Sequence, residues 1–202
     1  MIFLGLFIFF IFLLAYFRKK GIRKQEAVEQ TFWNRENEAN HVRKQDISGL
    51  PYITIPLENF SMDICDNQLL KEYEQVLTDL STKKILNLTG ETNTDLKLKY
   101  GPANLETLAE CDQNFMTLCR TLADYAKCLL DLGYTAEAKT VLEFGISCGS
   151  DHSQNYRMLS ELYVTEGNKD ALTHLLNSAQ ELNSAMKQSI IAYLEEQLNV
   201  LN

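Results

Sequence analysis

Leu122–Gly145 reads LADYAKCLLDLGYTAEAKTVLEFG, and Tyr156–Ala179 reads YRMLSELYVTEGNKDALTHLLNSA. The second is the first written again 34 positions later. Size class is kept at Leu122 and Tyr156, Ala126 and Ser160, Leu129 and Tyr163, Gly133 and Gly167, and Gly145 and Ala179. Ala138 alone is expected to slip, because Gly167–Ala171 is one residue shorter than Gly133–Ala138.

Each copy reads as helix, Gly, helix. From Asp112 to Leu132, apolar residues fall at Phe115, Leu118, Leu122, Tyr125 with Ala126, and Leu129, steps of three and four that make one stripe on a helix. Gly133 is suited to end that helix, because the left-handed cap conformation costs Gly little. Thr135 is the expected N-cap of the next helix, which carries Ala138, Val141, Leu142, Gly145 and Ile146. The second copy has Tyr156, Leu159 and Tyr163, a stop at Gly167, a cap at Asn168, then Leu172, Leu175 and Ala179. Small side chains at Ala126 and Ser160 let paired helices approach closely. The spacing predicts two stacked helical hairpins.

On these residues, Asp112–Leu182 resembles the tetratricopeptide repeat. The family's first-helix Trp-Leu-Gly pattern is met loosely by Leu122, Tyr125 and Ala126, and Ser150 stands where its closing Pro would be. The resemblance implies an all-α fold with a partner groove lined by the first helices. The implied groove positions are Arg120, Lys127, Gln154, Arg157 and Glu161. The chaperone-tail clamp of some family members is not met, since Ala123 and Lys127 fall at its Lys and Asn positions. Arg120, Lys127 and Arg157 would give the groove local positive charge, suited to an acidic tail or peptide.

The N-terminus is of another character. Ile2–Phe17 is sixteen residues without a charge, rich in Ile2, Phe3, Leu4, Phe7, Ile8, Phe9, Phe10, Ile11, Phe12, Leu13, Leu14 and Phe17. As a helix it spans roughly 24 Å, close to the ~30 Å hydrocarbon core, and snorkelling basic side chains can cover the difference. Arg18, Lys19, Lys20, Arg23 and Lys24 follow in one cluster. Basic flanks stay in the cytoplasm, so the run reads as an uncleaved single-pass anchor with its N-terminus outside. A cleaved signal wants a basic leader and a small-residue site, and Tyr16-Phe17-Arg18 offers neither. From Gln25 onward, fourteen basic residues face twenty-seven acidic ones, a formal −13. Such a body repels phosphate, which argues against nucleic acid as a partner.

Four segments follow from this: an anchor at 1–20, a polar helical stalk at 21–46, an extended connector with accessory helices at 47–111, and repeats closed by a capping helix at 112–202. In the stalk, Trp33 is expected to pack on the domain. Pro51 and Pro56 exclude a continuous helix between them, so 47–60 is expected to run extended and bury Leu50, Ile53, Ile55 and Leu57. Asp66 is the expected cap of a helix to Leu80, with Leu69, Leu70, Tyr73, Val76, Leu77 and Leu80 on its apolar stripe. Gly101-Pro102 is expected to start a separate short helix. Asn93, Asp95, Tyr100 and Asn104 form a polar cluster that reads either as a ligand site or as helix caps. Ser184–Leu201 is the capping helix, built on Ile190, Ile191, Leu194, Leu198 and Leu201.

Catalytic sets are not visible. His41, His152 and His174 have no Ser or Cys arrangement beside them, no Gly-rich phosphate loop occurs, and no metal or cofactor is expected. The five cysteines, Cys65, Cys111, Cys119, Cys128 and Cys148, show no zinc spacing and no disulfide framework. Cys119 and Cys128 read as buried free thiols, and Cys148 with His152 as a core thiol beside a surface imidazole. Asn87-Leu88-Thr89 matches a glycosylation acceptor by chance. The expectation is therefore a non-enzymatic, single-pass scaffold or adaptor with a cytoplasmic repeat domain. Two alternatives stand beside it: a membrane-tethered enzyme or ligand sensor using 93–104, and an exported domain with an N-terminal signal.

Overall fold

The computed structural model describes residues 2–201; within the first helix the side chains of 2–6, 8, 10–12, 14, 15, 21–24 and 27 lie outside the description. The described chain is all-α, with no β-strand among the described residues. It divides into two units, one of 1–47 with 92–105 and one of 48–91 with 106–202.

The first unit holds α1 (Ile2–Asn40) and α3 (Asn93–Tyr100). α1 is 39 residues long, about 58 Å at 1.5 Å per residue. Its Glu36 accepts from Thr94 Oγ1 at 2.7 Å and pairs with Lys97, and its Arg35 reaches Asp95 at 2.5 Å. α3 starts in a capping box: Asp95 accepts from Thr92 N at 3.0 Å, and Thr92 Oγ1 accepts from Asp95 N at 3.2 Å. Glu36 is held below the ordinary carboxylate range by its bonds to Lys97 and Thr94, and Asp95 is held low by Thr92 and then Arg35. The expected burial of Trp33 is not met: it is 63% exposed, edge-on to Phe32, which is also exposed.

The predicted anchor is met as helix but not as a span. Among the described residues no helix is long and apolar enough to cross a membrane. Phe7, Phe9, Leu13 and Phe17 are exposed, as are Arg18, Lys19 and Lys20. The other anchor and topology side chains, Ile2, Phe3, Leu4, Ile8, Phe10, Ile11, Phe12, Leu14, Arg23 and Lys24, lie outside the described residues.

The second unit is built on α4 (Leu105–Asp131), α5 (Thr135–Ser147), α6 (Ser153–Thr165) and α7 (Lys169–Glu181), with α2 (Gln68–Ser81) before them and α8 (Lys187–Val200) after. α5 and α7 are each 13 residues long and start 34 apart, so the expected one-residue slip does not occur. Ala138 pairs with Leu172, and both are fully buried. The two hairpin turns repeat bond for bond. Gly133 N donates to Leu130 O and Tyr134 N to Leu129 O; 34 residues on, Gly167 N donates to Val164 O and Asn168 N to Tyr163 O. Both glycines are left-handed, at φ 87° and 66°. Ala126 and Ser160 are each 0% exposed, which meets the close-approach requirement at both stations. Asn168 caps α7 through Ala171 N at 3.0 Å, as expected, whereas Tyr134 rather than Thr135 is the N-cap of α5 and gives no side-chain bond.

Other expectations are corrected. Gly101-Pro102 opens only a 3-10 turn, Pro102–Asn104, that feeds directly into α4, so the separate short helix and the long one are continuous. Asn67, not Asp66, caps α2, accepting from Leu70 N at 3.1 Å, while Asp66 pairs with Lys71 at 2.5 Å. The buried face of α2 is Leu70, Glu74, Leu77 and Leu80; Leu69 and Val76 point out at 49% and 37% exposure. In the connector only Ile55 is fully buried of the four expected, joined by Phe60, with Leu50, Ile53 and Leu57 half-buried. A 3-10 turn at Leu57–Asn59 interrupts the extended run.

Candidate functional site

The first α6 turn and the loop before it carry a dense polar cluster. Gly149 and Ser150 close α5, with Ser150 N donating to Gly145 O at 3.2 Å. Ser150 Oγ, fully buried, accepts from His152 N at 3.2 Å and lies 3.2 Å from Asn155 Nδ2. Burial pushes the Cys119 thiol up to about 12, with the Ser150 hydroxyl pulling the other way. Burial likewise holds Cys148 at about 11. Cys119 and Cys128 are buried free thiols as expected, but Cys148 is half-buried rather than core, and His152 is half-buried rather than a surface group.

Three buried side-chain atoms lack a hydrogen-bond partner among the described residues: His152 Nδ1, Asn155 Oδ1 and Tyr156 OH. His152 is the N-cap residue of α6, and Asn155 and Tyr156 lie in its first turn. An unmade bond at a buried polar atom costs about 1–3 kcal/mol, so this concentration singles out the region.

Beside the cluster a cleft of ≈ 440 Å³ opens between the start of α6, α4 and the Leu88–Glu91 loop. Arg120, Asp112, Asp151 and His152 line it, over Phe115 and Met116. The loop is pinned at its base: Asn87 Nδ2 donates to Cys148 O at 3.2 Å and Gly149 O at 3.1 Å, and Leu88 N donates to Asp112 at 3.3 Å. Those bonds hold the Asn87 amide nitrogen against backbone, the wrong setting for a sugar acceptor.

The five groove positions divide. Arg120 is exposed at the cleft, and Lys127 is exposed two turns further along the same side of α4. Gln154 is half-buried on the first turn of α6. Arg157 and Glu161 are instead engaged by α8: the Arg157 guanidinium sits 4.4 Å from the Tyr193 ring centroid, and Tyr193 OH donates to Glu161 at 3.3 Å. Sequence reasoning missed Tyr193, which was visible only as one aromatic on the polar side of the last helix. It also missed that Asp112, on the same helix, and Asp151, just ahead of α6, line one cleft with Arg120.

The 93–104 cluster is occupied by its own fold. Asp95 caps α3 and pairs with Arg35, and Asn104, 1% exposed, donates to Gln45 O at 2.8 Å and Tyr100 O at 2.6 Å. Among the described residues no group of three or more His, Cys, Asp or Glu is placed to hold a metal ion. No protein-family model, curated protein or solved structure matches this chain.

Proposed function

We propose that this chain is a membrane-anchored interaction protein whose stacked helical hairpins, resembling tetratricopeptide repeats, hold an acidic protein segment at the inner face of a bilayer. The observation that carries this reading is the recurrence of one hairpin, turn bond for turn bond, at a spacing of 34 residues. Stacked hairpins of this period present an extended surface suited to a peptide or tail. Exposed Arg120, Lys127 and Arg157 set local positive charge on a body that is otherwise acidic. α8 packs on α6 and α7 and fits the role of a cap that seals the second hairpin.

The anchor reading rests on the uncharged Ile2–Phe17 run, on the exposed apolar side chains of Phe7, Phe9, Leu13 and Phe17, and on the basic collar after them. Tethering raises the local concentration of a partner, so a modest groove affinity is enough. Under this reading the N-terminus is outside and the repeat unit cytoplasmic. Cross-linking in intact membranes, followed by mass spectrometry, tests it: the wild-type chain captures a defined partner, and Lys127→Glu with Arg157→Glu loses it. Undiminished capture by the doubly reversed chain rejects the groove.

A further inference from the structure

Arg120 and Asp151 line one cleft with opposite charges and do not meet. Among the described residues neither is in an ion pair. Asp112 on the same wall spends one oxygen on Leu88 N at 3.3 Å. The floor is apolar, from Phe115 and Met116, and Met116 is 47% exposed. His152 closes the wall, its Nδ1 buried and unpartnered. An exposed guanidinium and a half-buried carboxylate that share a cleft without pairing leave charge of both signs open to a ligand. A divalent cation suits the acidic walls and is repelled by Arg120; a simple anion suits Arg120 and is repelled by Glu91, Asp112 and Asp151, which line the same cleft.

We propose that this cleft binds a small zwitterion, a free α-amino acid with an apolar side chain. Its carboxylate pairs with Arg120, its ammonium with Asp151 and Asp112, and its side chain lies on Phe115 and Met116. The ≈ 440 Å³ volume accepts such a molecule with bridging water. The two ends of the ligand complete two charged groups that the fold leaves apart, so recognition requires both ends together. This site shares Arg120 with the partner groove, whereas Asp112, Asp151 and His152 play no part in that reading, so D151N tests the cleft without touching the groove.

The test is isothermal titration of the full chain in detergent micelles with L-leucine and L-phenylalanine as probes. Isoamylamine lacks the carboxylate, and N-acetyl-L-leucine lacks the ammonium. The expected result is saturable binding of at least one zwitterion and at least about tenfold weaker binding of both truncated probes, the loss set by one charge-assisted bond. R120Q and D151N each weaken the zwitterion by a similar factor, while K83Q, at an exposed lysine outside the cleft, binds as wild type. Unchanged helical melting of the variants shows that their loss is local. The proposal is overturned if neither amino acid binds up to about 10 mM. It is equally overturned if the truncated probes bind as tightly as leucine, or if R120Q and D151N bind it like the parent.

Discussion

Tyr125 shows how a single buried polar side chain ties two segments of the second unit. It is 0% exposed, and its hydroxyl donates to Glu74 at 3.2 Å. Glu74, 6% exposed, also accepts the backbone N–H of Asp63 at 3.1 Å, where the chain takes a left-handed turn at φ 55°. Removing the hydroxyl leaves a buried carboxylate short of one donor. Tyr125→Phe is therefore expected to lower stability by about 1–3 kcal/mol in urea unfolding, with Tyr125→Phe/Glu74→Gln costing less than the sum of the singles. Additive costs would show that the pair is not coupled. Burial also raises the phenols of Tyr125, Tyr156 and Tyr163 above the usual tyrosine value. A raised folded value contributes stability that is complete below the unfolded value near 10 and is lost as pH rises through the folded one. Absorbance at 295 nm is expected to show these tyrosines ionising only as helicity is lost above about pH 10; their titration in the intact fold would refute the burial.

The hairpin turns are the elements that the sequence declared most openly. Gly133 and Gly167 have positive φ and open space around the missing Cβ, so an added methyl meets strain and nothing else. Gly133→Ala and Gly167→Ala are each expected to cost about 1–2 kcal/mol, the penalty of a left-handed non-glycine residue. If the two turns are equivalent, thermal or urea unfolding returns the same loss within about 0.5 kcal/mol. A clear inequality would show that the repeat is one of sequence rather than of energy. These turns were legible because a helical stripe and a Gly stop are local signals. The start of α4 was not: Gly101-Pro102 looks like a helix opening, yet only one 3-10 turn separates it from a 27-residue helix. The capping box of α3 was written as Thr92-Asn93-Thr94-Asp95, but its surroundings looked like a loop. Nor could Arg157 be seen to stack on Tyr193, 36 positions away, because only the packing of α8 on α6 brings them together.

At the scale of the whole molecule, two compositions share one chain: an apolar, positively collared helix start and an acidic helical body. Arg120, Lys127 and Arg157 were named only through the resemblance to the repeat family, and of these only Arg120 lines the proposed cleft. The carboxylate walls of that cleft were not legible, because Asp112 and Asp151 meet it only through tertiary packing. The anchor rests on sequence and exposure together, and it makes a separable demand. If Phe7, Phe9 and Leu13 sit in hydrocarbon, a charge at each is costly there, about 2.5–3.5 kcal/mol at the centre of a bilayer helix. The second unit carries its own buried core from Ile55 to Leu194, to which that run contributes none of its described residues. Phe7→Glu/Phe9→Glu/Leu13→Glu is therefore expected to move the chain from the membrane fraction to the supernatant in vesicle flotation. The melting transition of the repeat helices should stay where it was. A triple variant that floats with the vesicles as before would mean that the apolar run is not what holds the protein to lipid.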